Sequence, residues 1–272
     1  MGTLAAASVA GVLVFAGLSS AGQTASPRGS QLSWAMARSS LEHLIAANPT
    51  QARAAFDSPD TMVQNDPPLS RDPSPPGWST SRTELWTSFA SFRSAVAEGA
   101  VPSMVQVVHY DNENWSQTPL REQRRPGIFE KRFCDLAHAN GWSCYTGPAQ
   151  DLCGSISHPA GETYAQCYLD ENLAGKAARY ADVIDIQAQT LEPRGGRAYG
   201  NFVRHAAAQA KAANPDVVVL GNIAASPNGT VVDASAMYRC AKAAMPYVSG
   251  FYTTVSAADG PTTVSFLRRL GA

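Results

Sequence analysis

Past residue 100 the chain alternates regularly between short β-rich apolar runs and helix-like segments, and this alternation restricts its fold more than any other feature. The run 104–113 (MVQVVHYDNE) is apolar on both faces, as a parallel strand covered on both sides must be. Residues 121–140 read as a helix that Gly141 closes. Strands follow at 142–149, 182–189 (DVIDIQAQ), 216–224 (DVVVLGNIA) and 247–255. Helices fall between and after them at 171–180, 199–213, 234–244 and 262–270. Strands separated by helices of this length are βαβ units sharing one parallel sheet.

Before residue 100 the pattern is weaker. Residues 39–47 and 85–98 read as helices, 32–36, 61–64 and 83–86 as short strands, and 67–78 (PPLSRDPSPPGW) as a Pro-rich loop. Eight strands in about 240 residues suit a single (β/α)8 barrel of the α/β class, somewhat abbreviated in its first half. A doubly wound sheet is the competing topology, but no GxGxxG follows a first strand.

Residues 1–25 carry no charged side chain, and 4–18 form an apolar run too short to span a bilayer. We read 1–25 as a signal peptide with an atypical uncharged start and 26–272 as the barrel domain of a secreted protein, with no stable membrane insertion after processing. Of the five cysteines (134, 144, 153, 167 and 240), Cys153 and Cys167 flank a loop that an oxidising compartment would let them close. Zinc spacing such as CxxC is absent, so no metal is expected. A formal charge of −1, with no basic stripe, speaks against nucleic acid as a partner.

Barrel enzymes carry their chemistry at the C-terminal ends of the strands. The richest such end is Tyr110-Asp111-Asn112-Glu113-Asn114-Trp115. Residues two apart share a strand face, so His109, Asp111 and Glu113 line up. Ionisable groups ending an apolar strand need water, partners or a ligand to satisfy them. Two close carboxyls push their pKa values apart, and here the charge of Asp111 is expected to keep Glu113 protonated. Other strand ends offer Gln187, Gln189, Asn222 and Asp151, groups suited to a polyhydroxylated ligand, while Trp115 and Tyr252 could stack on a sugar face. Nucleophile and phosphate motifs (GxSxG, P-loop, HExxH) are absent. His138 and His205 fall on the outer faces of expected helices.

The second half, from about 101 to 255, resembles the corresponding half of family 18 glycoside hydrolase barrels, which place DxxDxDxE on their fourth strand. Gln106, His109, Asp111 and Glu113 occupy the motif positions, and the last two match. Trp115–Gln123 is also similar to secreted barrel proteins in which YDxExW is followed by TPxxEQ. The family 18 resemblance implies that Glu113 is the acid and Asp111 positions the substrate. The family's sixth-strand Tyr falls near Gln189 and its eighth-strand Trp at Thr253 or Thr254, so chitin is not implied. If the substrate brings no acetamido group, a second carboxylate is needed, and Asp151 or Asp185 could supply it. The expected function is therefore a glycoside hydrolase-like barrel needing no cofactor, with His109, Trp115, Asp151, Gln187, Gln189, Asn222 and Tyr252 around the ligand. The alternative is a non-catalytic carbohydrate-binding or structural barrel.

Overall fold

Eight strands pair in parallel in the order in which they leave the chain: β1 (Ser33–Ala37), β2 (Thr61–Asn65), β3 (Ser81–Trp86), β4 (Val107–Tyr110), β5 (Ser143–Thr146), β6 (Val183–Ile186), β7 (Val218–Ala224) and β8 (Gly250–Thr254). Pairing of β8 with β1 closes the barrel. This is a computed structural model, and it describes residues 32–65, 72–156 and 158–272. The expected signal peptide lies outside the described residues.

Ten helices connect or follow the strands: α1 (Arg38–Ala47), α2 (Pro49–Phe56), α3 (Phe89–Glu98), α4 (Leu120–Gln123), α5 (Pro126–Ala139), α6 (Tyr164–Asp170), α7 (Leu173–Ala178), α8 (Gly196–Ala213), α9 (Ala234–Ala244) and α10 (Gly260–Leu270). Between β2 and β3 the described residues 72–80 contain no helix. Two short helices, α2 and α6, escape a reading based on periodicity, because eight and seven residues hold barely two turns of pattern. The strand expected at 104–113 keeps ladder pairing only as far as Tyr110.

Alternation along the strands separates two cores. Ala35, Met62, Val107, Tyr145, Val183 and Leu220 point inward and fill the barrel. Their neighbours Trp34, Val63, Val108, Cys144, Ile184, Val219 and Phe251 point outward and bury the apolar faces of the helices. The seam between β8 and β1 is tight: a Cβ on Gly250 would lie 1.7 Å from the Ser33 carbonyl oxygen.

One buried carboxylate anchors the layer behind β4. Glu122 on α4 is fully buried and accepts from the first two amides of α3, Phe89 N at 2.7 Å and Ala90 N at 3.2 Å, and from Tyr110 Oη at 2.9 Å. It caps a helix whose own N-cap, Ser88, serves only the Ser91 amide through its side chain. Glu122→Ala orphans two buried donors, Phe89 N and Tyr110 Oη, and the part-buried Ala90 N, so we expect a loss of about 2–4 kcal/mol in chemical denaturation. An unchanged urea midpoint would refute the role.

Cys153 is bridged to Cys167, as the loop spacing suggests, and a second bridge joins Cys134 on α5 to Cys144 on β5. Cys240 is free and buried. A closed loop of the Cys153–Cys167 size stabilises by about 3 kcal/mol, mainly by restricting the unfolded chain. Among the described residues no helix is long and apolar enough to cross a membrane.

Candidate functional site

Beyond Tyr110 the chain leaves the ladder yet stays extended against its neighbours. Asp111 N bonds Trp86 O at 2.9 Å, Gly147 N bonds Tyr110 O at 3.1 Å, and Ala149 N bonds Asn112 O at 3.1 Å. The two-residue alternation therefore runs on past the strand end, and His109, Asp111 and Glu113 all face one cavity at the C-terminal mouth. Asp185, Gln187 and Gln189 do the same from β6 and the segment after it. Asn222, Tyr252, Thr254 and Trp115 complete a cavity of about 190 Å³. A larger groove of about 480 Å³, with Arg124, Arg125, Lys176 and Arg179 in its wall, lies outside the barrel against α5 and α7 and holds no carboxyl pair.

The floor is a neutral, buried network. His109 Nδ1 lies 2.8 Å from Gln64 Oε1, and Gln64 Nε2 donates to Tyr252 Oη at 3.0 Å. An amide oxygen only accepts, so Nδ1 carries the hydrogen and the Nε2 lone pair faces inward. Burial pushes His109 down to about 3. Its ring stacks on Tyr145 with centroids 3.7 Å apart and planes within 6°. Asp185 Oδ1 lies 3.7 Å from His109 Nε2. Burial raises Asp185 to about 7, against the opposing pull of Tyr145 and Asn222, with the charge of Glu113 adding to the rise. At that distance the two atoms make no hydrogen bond, and both His109 Nε2 and Asp185 Oδ1 are left without a partner. Gly147 is what lets this carboxyl sit here, since a Cβ would come within 2.1 Å of Asp185 Oδ1.

At the mouth, Asp111 Oδ1 accepts from Gln187 Nε2 at 3.1 Å, and the same amide group donates to Gly147 O at 3.0 Å. Gln150 Nε2 holds the Gln187 carbonyl at 2.6 Å. Burial lifts Asp111 well above the usual carboxyl range, and the charges of Glu113 and Asp185 lift it further. Glu113 is raised by burial and then by the charge of Asp151, while hydrogen bonds from Gln187 and Asp111 lower it. This corrects the expected direction of influence within the pair. Asp111 is deeper and feels the charges of two carboxyls, and its hydrogen bond to Glu113 lowers Glu113 instead of raising it.

Asp151 does not line the cavity. It caps the Asn114 amide at 3.0 Å and acts on Glu113 through its charge. Trp115 presents only its ring, because Nε1 donates to Thr118 Oγ1 at 2.7 Å and Gln123 Nε2 holds the Trp115 carbonyl at 2.7 Å. His109 Nε2, Gln189 Oε1 and Asn222 Oδ1 are buried without a protein hydrogen-bond partner, a demand that a polar ligand can meet. Sequence reasoning missed Gln64 and Tyr145. An amide inside the apolar run TMVQN was the signal available for Gln64, whereas Tyr145 reads as an ordinary strand aromatic. His138 and His205 are exposed on α5 and α8.

These shifts set a pH dependence. Asp185 at about 7 and Glu130 and Glu192 at about 8 all lie above their ordinary values, so the native state binds protons that the unfolded chain has lost. Their stabilisation is complete below pH about 4 and is lost as pH rises through 7 to 8. His109 works oppositely, since its lowered value makes stability fall as pH drops below its ordinary 6.5. Three carboxyls outweigh one imidazole, so the urea midpoint should be higher at pH 5 than at pH 8. A flat or rising profile over that range would contradict the assignment.

No protein-family model matches the chain, and no curated protein matches it. Among solved structures it is similar to an aldolase from Escherichia coli K12 (10% identity, 89% of this chain and 90% of that one, TM-score 0.44). It is similar also to the carboxyl transferase domain of Rhizobium etli pyruvate carboxylase with pyruvate (10% identity, 89% of this chain and 47% of that one, TM-score 0.47). A third is an active-site mutant of Rhizomucor miehei β-1,3-glucanosyltransferase in complex with laminaritriose (11% identity, 77% and 81% covered, TM-score 0.40). At these values the likenesses assign no chemistry to this chain.

Proposed function

We propose that the barrel is a secreted, glycoside hydrolase-like enzyme that cleaves a glycan by acid catalysis from the Asp111–Glu113 pair. The observation that carries the reading is the pair itself: two neighbouring buried carboxyls, both held above the usual carboxylate range, at the mouth of a cavity whose other groups are amides, hydroxyls and an aromatic face. Such a pair keeps one proton where isolated acids have lost theirs, which a general acid requires near neutral pH. Glu113 stands outermost and passes the proton to the glycosidic oxygen as the C–O bond breaks. Asp111 supplies that proton through their hydrogen bond and shares the negative charge left behind. Gln187 holds Asp111 in place. Asp185, beneath, contributes negative charge toward a developing oxocarbenium ion once it ionises. Water then adds to the anomeric carbon, and the proton it releases returns to the Asp111–Glu113 pair, so the hydrolysis leaves the site as it began.

The resemblance to family 18 bears on this acid step. Gln106, at a motif position that does not match, is exposed and accepts from the Arg82 amide, away from the mouth. Two disulfides support an oxidising destination. A panel of defined glycans incubated with the purified protein tests the reading, with release of reducing ends as the readout. Turnover supports the enzyme. Binding without turnover would replace it with the carbohydrate-binding alternative.

A further inference from the structure

The groove of about 480 Å³ against α5 and α7 takes no part in the acid step. Arg124 and Arg125, just before α5, line it together with Lys176 on α7 and Arg179 at the end of α7. All four side chains are exposed. Lys176 has an anionic partner, Glu171 Oε2 at 2.9 Å. Among the described residues the guanidinium groups of Arg124, Arg125 and Arg179 make neither an ion pair nor a hydrogen bond. Three uncompensated positive charges thus converge on one concavity, in a chain whose formal net charge is −1. A cleft lined by one sign of charge focuses a field that draws in the opposite sign, and guanidinium forks match carboxylate and sulfate oxygens. The start of α5 adds to that field, since it has no side-chain cap and no acidic residue in its first turn. Aliphatic wall is present too, from Ile128 and Ile156. The aromatic ring in the groove, Tyr180, already carries Lys131 Nζ at 5.3 Å from its centre, so a nucleobase finds no open stacking platform there. One buried residue joins this groove to the barrel mouth. Gln123, next to Arg124, donates to the carbonyl of Trp115, whose ring lines the catalytic cavity, at 2.7 Å. It also accepts from Ser155 Oγ at 2.6 Å, and Ser155 precedes Ile156.

We propose that this groove is a second binding site, which holds the anionic groups of an acidic polysaccharide whose chain runs past Trp115 from the barrel mouth. That the polymer is a glycan rests on the function proposed above, and the test separates the two. The intact protein is titrated calorimetrically with polygalacturonate, which carries carboxylates, and with dextran sulfate, with neutral dextran and oligothymidylate as comparisons. The wild type should bind at least one of the two acidic polymers, and more weakly at about 200 mM than at about 50 mM salt. Which of them binds tells whether carboxylate or sulfate is the recognised group. Arg124→Gln/Arg125→Gln should raise Kd about 10-fold or more, since it removes two charge-assisted contacts. Arg268→Gln/Arg269→Gln removes the same charge from the exposed end of α10 and should leave Kd within about twofold. The exchanged side chains are exposed, so the fold should survive. If the first double variant does not fold, Arg179→Gln removes a cation contributed by α7, and Kd should rise about threefold or more. Failure of both acidic polymers to bind overturns the proposal, as does wild-type affinity in the folded groove variants. An equal loss in the α10 variant overturns it as well, because net charge alone would then explain the binding. Oligothymidylate bound as tightly as the acidic polymers would replace the glycan with polyanions in general. Absence of turnover by the wild type sinks the acid reading alone, and a groove that binds nothing leaves the acid pair untouched.

Discussion

Replacing Glu113 by Gln should reduce turnover about 10² to 10⁴-fold while leaving glycan affinity within a few-fold of wild type. The amide preserves size and hydrogen-bonding reach but cannot release a proton to a leaving oxygen. Asp111→Asn should also slow the reaction, for a different reason: it removes the group that holds the shared proton. It should not depress Glu113 by deleting a neighbouring charge, because Asp111 already lowers Glu113 through a hydrogen bond. Activity should fall as pH rises through the upper titration of the pair, and that step belongs to both residues together. Initial rates for the two variants from pH 4 to 9, with calorimetric affinities beside them, check all of this. Turnover that survives Glu113→Gln would remove it as the acid.

The second large effect concerns stability. Gly250→Ala should cost at least about 3 kcal/mol, or prevent folding, because the added methyl meets backbone and no side chain can swing aside. Its Cβ would fall 1.7 Å from Ser33 O and 2.5 Å from Ser33 C, so β1 and β8 would have to separate at the barrel seam. Gly127→Ala is the matched control. At the start of α5 its Cβ would lie 3.2 Å from Lys176 Cβ, so a shift of a few tenths of an ångström accommodates it, and the helix preference for Ala over Gly, up to about 1 kcal/mol, offsets that strain. The urea midpoint of Gly250→Ala should therefore fall far below that of Gly127→Ala, which should stay near wild type. A Gly250→Ala protein as stable as wild type would mean that the barrel seam tolerates a side chain at this position, against this prediction.

Much of this arrangement is legible in the linear chain. The β/α alternation after residue 100 implies the parallel barrel, and the i, i+2 spacing of His109, Asp111 and Glu113 places them on one face. The same spacing brings Gln187 and Gln189 in beside Asp185. It holds beyond the strand ends because backbone bonds to β3 and β5 keep the 111–112 segment extended. Cys153 and Cys167 were readable as a loop closure, whereas Cys134 and Cys144 meet only because α5 packs back on β5. Nothing in LREQ shows that Glu122 will cap α3 from across a loop.

What the sequence by itself determined is which side chains of the fourth and sixth strands and their extensions face the cavity, since that follows from a two-residue period and local backbone geometry. Which way each of the two carboxyls is pushed was decided only by the tertiary structure. The sequence shows Asp111 and Glu113 as equivalent neighbours. Folding sets Asp185 and Gln187 from β6 beside the first, and Asp151 from beyond β5 near the second. A pKa answers to burial and to charges through space, and those distances are not properties of spacing along a chain.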